Sequence, residues 1–237
     1  MSKGKLYLIP CPLTDDTLKD VLPSQVIDAI LACKFFWVEN ARTARRFISS
    51  LKLGIDISTL EFEEIPGKSV TNEQLKLGFE KVKNGVNAGV ISEAGCPAVA
   101  DPGSLVVARA HQLNIEVIPL VGPSSILLAL MASGFNGQSF TFNGYLPIKS
   151  DEKLAKLKEL ERKVNAENQS QIFIETPFRN NGMFKDLLKN LQNNTKLCVA
   201  ANINSPTKAY IKTYQIHEWK QIPVPELHKI PCIFIIG

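Results

Sequence analysis

The sequence lacks the features that mark membrane and secreted proteins. No apolar run approaches the about 20 residues that a membrane-spanning helix requires. The first residues, Met1 to Lys5, lead directly into a strand-like Leu6–Ile9 segment, which leaves no room for a secretory signal peptide. These absences predict a cytoplasmic protein with no membrane partner.

Cysteine and histidine are too few and too scattered to indicate a metal site. The five cysteines stand singly, and neither they nor the three histidines form a CxxC or Cys/His pattern of the kind that binds zinc. An odd number of dispersed cysteines fits free thiols in a reducing compartment. We therefore expect no metal and no disulfide framework.

Three common nucleotide-binding and hydrolase motifs are also missing. The chain has no GxGxxG fingerprint, no GxxxxGK[ST] phosphate loop and no GxSxG nucleophile elbow. Ser124 and Ser125 have no evident histidine partner, which argues against hydrolase chemistry. The net charge of +4 is too small to establish a nucleic-acid partner. The excess of Lys and Arg lies from residue 146 onward, where a solvated, lysine-rich helix over 153–163 is the favoured explanation.

The pattern that is present alternates short apolar runs with segments of helical periodicity. This alternation predicts a parallel sheet with right-handed crossovers, hence an α/β fold. The predicted strands of the first part are Leu6–Ile9, Phe35–Val38, Leu60–Ile65, Ala88–Ile91, Ile115–Leu120 and Phe140–Asn143.

The character of the chain changes near Pro147. Asp151 to Asn165 is polar and lysine-rich, and the apolar runs that follow residue 190 have little helix between them. Consecutive strands without crossovers indicate antiparallel pairing, so the second part should contain a mixed sheet. We expect an N-terminal α/β domain over 1–146 and a C-terminal α/β domain over 147–237.

Two loops follow buried strands and contain the residues of a ligand site. The loop 92–103 follows Ala88–Ile91, and the loop 121–125 follows Ile115–Leu120. Both are rich in glycine, proline and hydroxyl side chains, which allow close backbone approach and fix the loop shape before binding. Each loop alone also fits an ordinary strand-to-helix turn. Two in succession at the carboxyl edge of a parallel sheet favour a ligand site.

Carboxylates lie at the ends of the predicted strands. Glu39 and Glu93 stand at the tips of apolar runs, where carboxylates are tolerated mainly when they are paired or functional. Asp101 precedes Pro102-Gly103, so it is either a functional carboxylate or the cap of the helix that follows.

Four stretches of the chain form a set of motifs: SEAGCPAVADPG at 92–103, Gly122-Pro123-Ser124-Ser125, NGYLP at 143–147 and FIETPFR at 173–179. Together they resemble the tetrapyrrole methylase superfamily, in particular its subfamily that 2′-O-methylates a cytidine of small-subunit ribosomal RNA. The first stretch is similar to that subfamily's S-D-A-G-T-P-x-I-S-D-P-G, and the second to its P-G-P-x-x loop. The third resembles E-G-F-L-P and the fourth F-Y-E-S-x-x-R, and the match extends over nearly the whole chain.

The resemblance implies two α/β domains that enclose S-adenosylmethionine (SAM), a methyltransferase activity, a homodimer, and RNA of the small ribosomal subunit as partner. Carried over by position, it implies a set of cofactor-binding residues. They are Leu13, Gly95, Cys96, Val99, Ser125, Ile126, Ile174, Ala201 and Pro231. For catalysis, Glu39 and Glu93 are candidates for a general base, and Arg42 for holding a phosphate or orienting Glu39.

The chain departs from the subfamily at four motifs. Its T-P-I-G-N-L loop is Cys11–Asp16 here, without the glycine, and its A-E-D-T-R becomes Val38-Glu39-Asn40-Ala41-Arg42. The charges of A-R-E-L-T-K are lost at 201–206, and a basic K-G-E becomes His228-Lys229-Ile230. Two alternatives therefore stay open. One is a methylase of a tetrapyrrole or another small substrate, and the other is a paralogue that binds SAM or RNA without turnover.

Overall fold

The structure of the chain is a computed structural model that describes residues 2–14, 17–65, 67, 71–223 and 225–237, apart from the side chain of Asn72. Asp15 and Asp16, which end the first loop of the resemblance, lie outside the described residues. Contacts between Cα atoms divide the chain into two compact units, Met1–Ser124 and Ser125–Gly237. Within the described residues, no helix is long and apolar enough to span a membrane.

The first unit is built on a parallel sheet of five strands in the order β3-β2-β4-β1-β5. The strands are β1 Leu6–Ile9, β2 Phe35–Val38, β3 Glu61–Glu64, β4 Ala88–Ile91 and β5 Val117–Pro119. β2 and β4 are buried at every residue, because both faces of the sheet are covered. β3, at the edge of the sheet, has polar and partly exposed residues.

Helices cover both faces of this sheet. They are α1 Leu18–Val21, α2 Ser24–Ala32, α3 Ala41–Ser50, a short 3₁₀ helix Ile57–Thr59, α4 Asn72–Lys83 and α5 Gly103–Gln112. Along β2, Phe36 and Val38 join the apolar core that includes residues of α2 and α3. Phe35 and Trp37 join the core that includes residues of α4 and α5. This alternation is the two-residue period of a strand buried on both sides.

The carboxyl ends of β1 and β4 lie side by side in the first unit. β1 leads to β2 on one side of the pair, whereas β4 leads to β5 on the other. Connections that leave neighbouring strands in opposite directions open a crevice at the carboxyl edge, which is where such sheets bind ligands. Cys11 and Gly95 join the two loops through reciprocal backbone hydrogen bonds of 2.9 and 3.1 Å.

The second unit contains a mixed sheet in the order β6-β7-β10-β8-β9. Its strands are β6 Phe140–Tyr145, β7 Ser170–Ile174, β8 Lys196–Ala201, β9 Tyr210–Gln215 and β10 Cys232–Ile236. Only β6 and β7 are parallel, and the other neighbours are antiparallel. The helices are α6 Ser125–Ser133, α7 Ser150–Glu167, α8 Asn180–Asn190 and α9 Ile216–Trp219. Leucines of α7 and α8 pack with Phe173 and Phe234 in one core.

The division of the chain falls earlier than the boundary expected after residue 146. β6 pairs with β7, and α6 contacts β8, β9 and β10, so both elements belong to the second unit. The expected boundary therefore lies inside that unit. The change of composition near Pro147 marks the start of the solvated helix α7, not the change of sheet.

Candidate functional site

The carboxyl edge of the first sheet brings three predicted loops together. Besides the Cys11–Gly95 pair, the Sγ atom of Cys96 donates to the carbonyl oxygens of Gly122 and Pro123 at 3.5 and 3.3 Å. The loops after β1, β4 and β5 are thus in contact within one unit. Leu13, Gly95 and Cys96, three of the predicted cofactor residues, lie among them, as their strand-end positions in the sequence suggested.

Gly95 and Gly122 occupy positions that larger residues would disturb. Gly95 has a φ of +74°, and a Cβ atom there would lie 3.3 Å from Cδ2 of Leu13 and 3.4 Å from the carbonyl oxygen of Pro123. A Cβ atom at Gly122 would lie 2.2 Å from Cβ of Pro10. The backbone of these loops therefore approaches its neighbours closely, as the glycines predicted.

Asp101 organises the loop 92–103 from inside. Its Oδ1 accepts hydrogen bonds from the backbone N–H groups of Ala98, at 2.9 Å, and Gly103, at 2.7 Å. Pro102, not Asp101, is the N-cap residue of α5, and Asp101 instead accepts the N–H of Gly103, the first residue of the helix, while it holds the loop. The buried Oδ2 atom has no hydrogen-bond partner within the described residues.

The loop held by Asp101 contains two alanines in the left-handed region. Ala98 has a φ of +67° and Ala100 a φ of +64°, which non-glycine residues adopt only when the surrounding structure requires it. Val99 lies between them and is 50% exposed. The structure thus presents Val99, a predicted cofactor residue, at the surface of a constrained loop.

Glu39 and Glu93 are brought together at the ends of β2 and β4. Oε1 of Glu39 accepts the backbone N–H of Glu93 at 3.1 Å. Partial burial raises the pKa of Glu39, the hydrogen bond from Glu93 lowers it, and the charges of Asp101 and Glu93 raise it further. Burial likewise raises the pKa of Asp101 above its usual value, against the two hydrogen bonds it accepts.

A cavity of about 440 Å³ lies beside these loops in the first unit. Its size is within the range of small-molecule sites, roughly 300–1,000 Å³. The lining residues are Cys11, Pro12, Leu18, Thr43, Ala44, Arg46, Phe47, Ser50, Ser92 and Glu93. Glu93 therefore has access to a cavity, whereas Glu39 holds the backbone of the loop that carries it.

Sequence reasoning missed the contribution of α3 to this cavity. It selected Arg42 from a motif, yet Thr43, Arg46 and Ser50 are the polar residues of α3 that line the cavity. Their spacing of three and four residues on an amphipathic helix could have indicated a shared face. In the described residues, no ion pair joins Arg42 to Glu39, whose acceptor atom is occupied by Glu93.

The second unit brings three further predicted residues to one edge of its sheet. β7 and β8 both run antiparallel to β10, which lies between them, so their carboxyl ends meet the start of β10. Ile174 pairs with Ile233, and Ala201 pairs with Cys232. The carbonyl oxygen of Pro231 accepts the N–H of Asn202 at 3.0 Å. Ile174, Ala201 and Pro231 therefore lie on adjacent strand ends.

The loop that follows β7 is fixed by a buried carboxylate. Oε1 of Glu175, which is 6% exposed, accepts hydrogen bonds from Nε and Nη2 of Arg179 at 3.0 and 2.6 Å and from the N–H of Thr176 at 2.6 Å. The motif FIETPFR thus forms a rigid strand end beside Ile174. Ser125 and Ile126, the two remaining predicted cofactor residues, begin α6 and are half-buried.

The described residues contain no group of His, Cys, Asp and Glu side chains that could hold a metal ion. The five cysteines are free, and burial raises the pKa of the Cys11 thiol to about 12, with the charge of Glu39 adding to the effect. Cys11 is therefore protonated at neutral pH and serves as a packing residue.

Comparison with curated proteins finds relatives over most of the chain. Ribosomal RNA small subunit methyltransferase I of Thermotoga maritima is 32% identical over 189 residues, which are 78% of this chain and 78% of that protein. The protein of the same name from Vibrio cholerae is 28% identical over 200 residues, which are 84% of this chain. The chain spans 64% of that relative's length. No model of a known protein family matches the chain.

Solved structures share the fold. The methyltransferase CobJ matches with a TM-score of 0.63 at 14% identity and covers 99% of this chain and 94% of its own. Uroporphyrin-III C-methyl transferase from Thermus thermophilus, complexed with S-adenyl homocysteine, matches with a TM-score of 0.55 at 14% identity, over 99% of this chain and 97% of its own. These likenesses confirm the predicted α/β fold with a parallel and a mixed sheet.

Proposed function

Because the chain belongs to the ribosomal RNA small subunit methyltransferase I family, we propose that it is a SAM-dependent methyltransferase that methylates the ribose 2′-oxygen of a cytidine in small-subunit ribosomal RNA. The relatives' name supports the RNA and the methyl transfer, and the resemblance of the motifs supports the cytidine ribose. Such a substrate would place the protein in the cytoplasm.

The loops of the first unit support SAM binding, because their backbone segments lie close together at the carboxyl edge of the sheet. The observation that supports the proposal best is the contact of the Gly95-Cys96 segment with Gly122 and Pro123, in the motifs that resemble cofactor loops. Leu13, Gly95, Cys96 and Val99 would hold SAM from the first unit. The second unit's candidates for cofactor binding are Ser125, Ile126, Ile174, Ala201 and Pro231.

When bound, SAM supplies an electrophilic methyl group on a sulfonium, and transfer leaves S-adenosylhomocysteine. The protein's main task is to align the acceptor oxygen with that methyl group, since positioning can be worth about 7–11 kcal/mol. A ribose hydroxyl is a weak nucleophile, and a carboxylate that accepts its proton as the new O–C bond forms adds roughly 10²–10⁴-fold.

We assign that carboxylate to Glu93, because Glu93 is a lining residue of the cavity and its backbone is held by Glu39. Glu39 then fixes the position of the base through the backbone N–H of Glu93. Arg42, exposed in the first turn of α3, would bind a phosphate of the RNA.

A transfer assay with tritiated SAM tests the proposal. Unmethylated small ribosomal subunits should accept label, whereas porphyrin precursors should not, and Glu93→Gln should reduce the rate by roughly 10²–10⁴-fold with unchanged SAM affinity. Label in the porphyrin precursors would indicate a tetrapyrrole methylase. SAM binding in calorimetry without transfer to either substrate would indicate a paralogue without turnover.

We also propose that the protein is a homodimer, which rests on the family resemblance alone. Sedimentation at micromolar concentration should give twice the chain mass of 26.2 kDa. A particle of one chain mass would contradict it.

A further inference from the structure

The solvent-facing side of α3 is unusually basic. Arg42, Arg45 and Arg46 fall within one and a half turns, and the helix contains no Asp or Glu. All three arginines are exposed, whereas Ala44, Phe47 and Ile48 face the core. Surface helices usually pair such charges with carboxylates three or four residues away. Here the three positive charges repel one another.

The position of these charges adds to their electrostatic cost. Arg42 lies in the first turn of α3, where the helix dipole is positive and a cation is unfavourable. Within the described part of the chain, none of the three arginines forms an ion pair. Oε1 of Glu64 accepts the N–H of Ala41 at the start of α3 and partly offsets this cost, but it forms no ion pair with the arginines. Three arginines on one face without ion-pair partners fit a surface that an anionic ligand covers.

Arg45 is held by an aromatic ring, and Arg46 lines the cavity. The guanidinium of Arg45 lies 4.9 Å from the ring centre of Phe62, a cation–π contact that fixes its direction. Arg46 lines the cavity of about 440 Å³ together with Ser92 and Glu93. The basic row therefore begins at the helix surface and reaches the cavity that contains the proposed base.

The cavity has both polar and apolar lining residues, which fits a nucleotide. The hydroxyl groups of Thr43, Ser50 and Ser92 donate within the protein, and their oxygens can still accept hydrogen bonds from a ribose hydroxyl or a base. Pro12, Leu18 and Phe47 supply apolar surface for the rings. A single unpaired nucleotide matches this volume and polarity, and a target base in a helix would first have to leave its stack.

From these observations we infer that α3 is a binding surface for single-stranded RNA. Arg42, Arg45 and Arg46, which we call the α3 arginine row, bind consecutive backbone phosphates and place one nucleotide in the cavity beside Glu93. The planar guanidinium donates two parallel hydrogen bonds to a phosphate, which sets its position as well as its charge. The inference rests on the proposed function, since it names the surface that presents the acceptor.

Fluorescence anisotropy with a short, labelled, single-stranded oligoribonucleotide of small-subunit rRNA sequence tests the α3 arginine row. In Arg45→Gln/Arg46→Gln, affinity should fall about tenfold or more, because two charge-assisted contacts are lost. The slope of log affinity against log salt should become shallower by about 0.7 for each lost phosphate contact. Arg45→Lys/Arg46→Lys keeps the charge, so it should retain the slope while losing part of the affinity.

Arg162→Gln is the matched control, because Arg162 is an exposed arginine on a different helix, α7. It should leave both affinity and slope unchanged. SAM affinity by calorimetry should be the same in all variants, and each variant should still unfold in one cooperative transition, which excludes a loss of fold. Wild-type affinity and salt slope in a folded Arg45→Gln/Arg46→Gln protein would overturn the inference, as would weaker uroporphyrin III binding with unchanged RNA binding.

The outcomes also separate this inference from the proposed function. Methyl transfer to small subunits with an unchanged KM for RNA in the double variant would retain the function and reject the α3 arginine row. RNA binding that depends on the row, without any methyl transfer by the wild-type protein, would retain the row as an RNA surface and reject the proposed activity.

Discussion

At the scale of single residues, the loop after β4 depends on a few backbone positions that tolerate little change. Gly95 and Ala100 both have positive φ, of +74° and +64°, but only one of them is glycine. The glycine also lies against Leu13 and Pro123. Substituting alanine for Gly95 and glycine for Ala100 therefore separates the effect of backbone strain from that of contact with a ligand.

We expect Gly95→Ala to lower the free energy of unfolding by about 1–2 kcal/mol, the usual cost of a Cβ atom in the left-handed region. It should also weaken SAM binding, because the Cβ atom displaces Leu13. Ala100→Gly, the control, relieves strain at a similar φ and should leave the melting temperature unchanged or higher. Thermal melting and calorimetry measure both effects. Unchanged SAM affinity in folded Gly95→Ala would show that SAM does not bind at this loop.

The raised pKa of Glu39 predicts a pH-dependent effect on stability. A folded-state pKa above the ordinary 4.5 means that the folded protein binds the proton more tightly than the unfolded chain. The associated stability is complete below pH 4.5 and is lost as the pH rises through the folded pKa. Glu39→Gln removes the charge and retains an acceptor for the N–H of Glu93.

Glu39→Gln should therefore raise the melting temperature at pH 7–8 and change it little at pH 4, where the wild-type carboxyl is largely protonated as well. Melting curves of both proteins across this pH range provide the measurement. An equal shift at both pH values would show that burial and the neighbouring carboxylates do not act on Glu39 as described.

At the scale of elements, the buried strands of the first unit could be predicted from the sequence. β1, β2 and β4 begin and end where their apolar runs do, because a strand covered on both faces has no polar residue inside it. The Thr71–Gln74 spacing in the sequence is that of a capping box, and the two residues form one at the start of α4. Local sequence patterns suffice to assign an element when neighbouring residues alone determine where it begins and ends.

Other elements could not be assigned from local patterns. Serine is a favoured N-cap residue, yet at the start of α2 Pro23 occupies that position and Ser24 begins the helix. β6 reads as one more strand of the first sheet, although its partner is β7. Strand partners depend on contacts far apart in sequence, and α6 is too uniformly apolar to reveal which sheet it covers. Arg42 of α3 could be selected from its motif, but Arg46 could not, because the cavity that it lines is formed by residues far apart in sequence.

Asp101 permits a test of the loop as a unit. Asp101→Ala removes the acceptor for the N–H groups of Ala98 and Gly103, which hold the strained segment between them. We expect a loss of about 1–3 kcal/mol in the free energy of unfolding and weaker SAM binding. Asp101→Asn, which keeps one carbonyl oxygen, should retain most of both. Equal losses in the two variants would show that the charge, not the hydrogen bonds, matters.

At the scale of the whole molecule, each unit presents its candidate residues at strand ends. In the first unit they follow β1, β2 and β4 of a parallel sheet, and in the second they lie where β7 and β8 end and β10 begins. Similar folds at 14% identity serve methyltransferases with quite different names. The fold therefore leaves the acceptor open, and the proposed RNA substrate depends on the relatives and on the resemblance of the motifs.

The most direct measurement is the identity of the methylated nucleoside. Small ribosomal subunits that lack the modification are incubated with the protein and isotopically labelled SAM, and their RNA is digested to nucleosides and analysed by mass spectrometry. The label should be found in 2′-O-methylcytidine and in no base-methylated nucleoside. Label on a base, or no label in the RNA while a tetrapyrrole is methylated by the same preparation, would contradict the central claim.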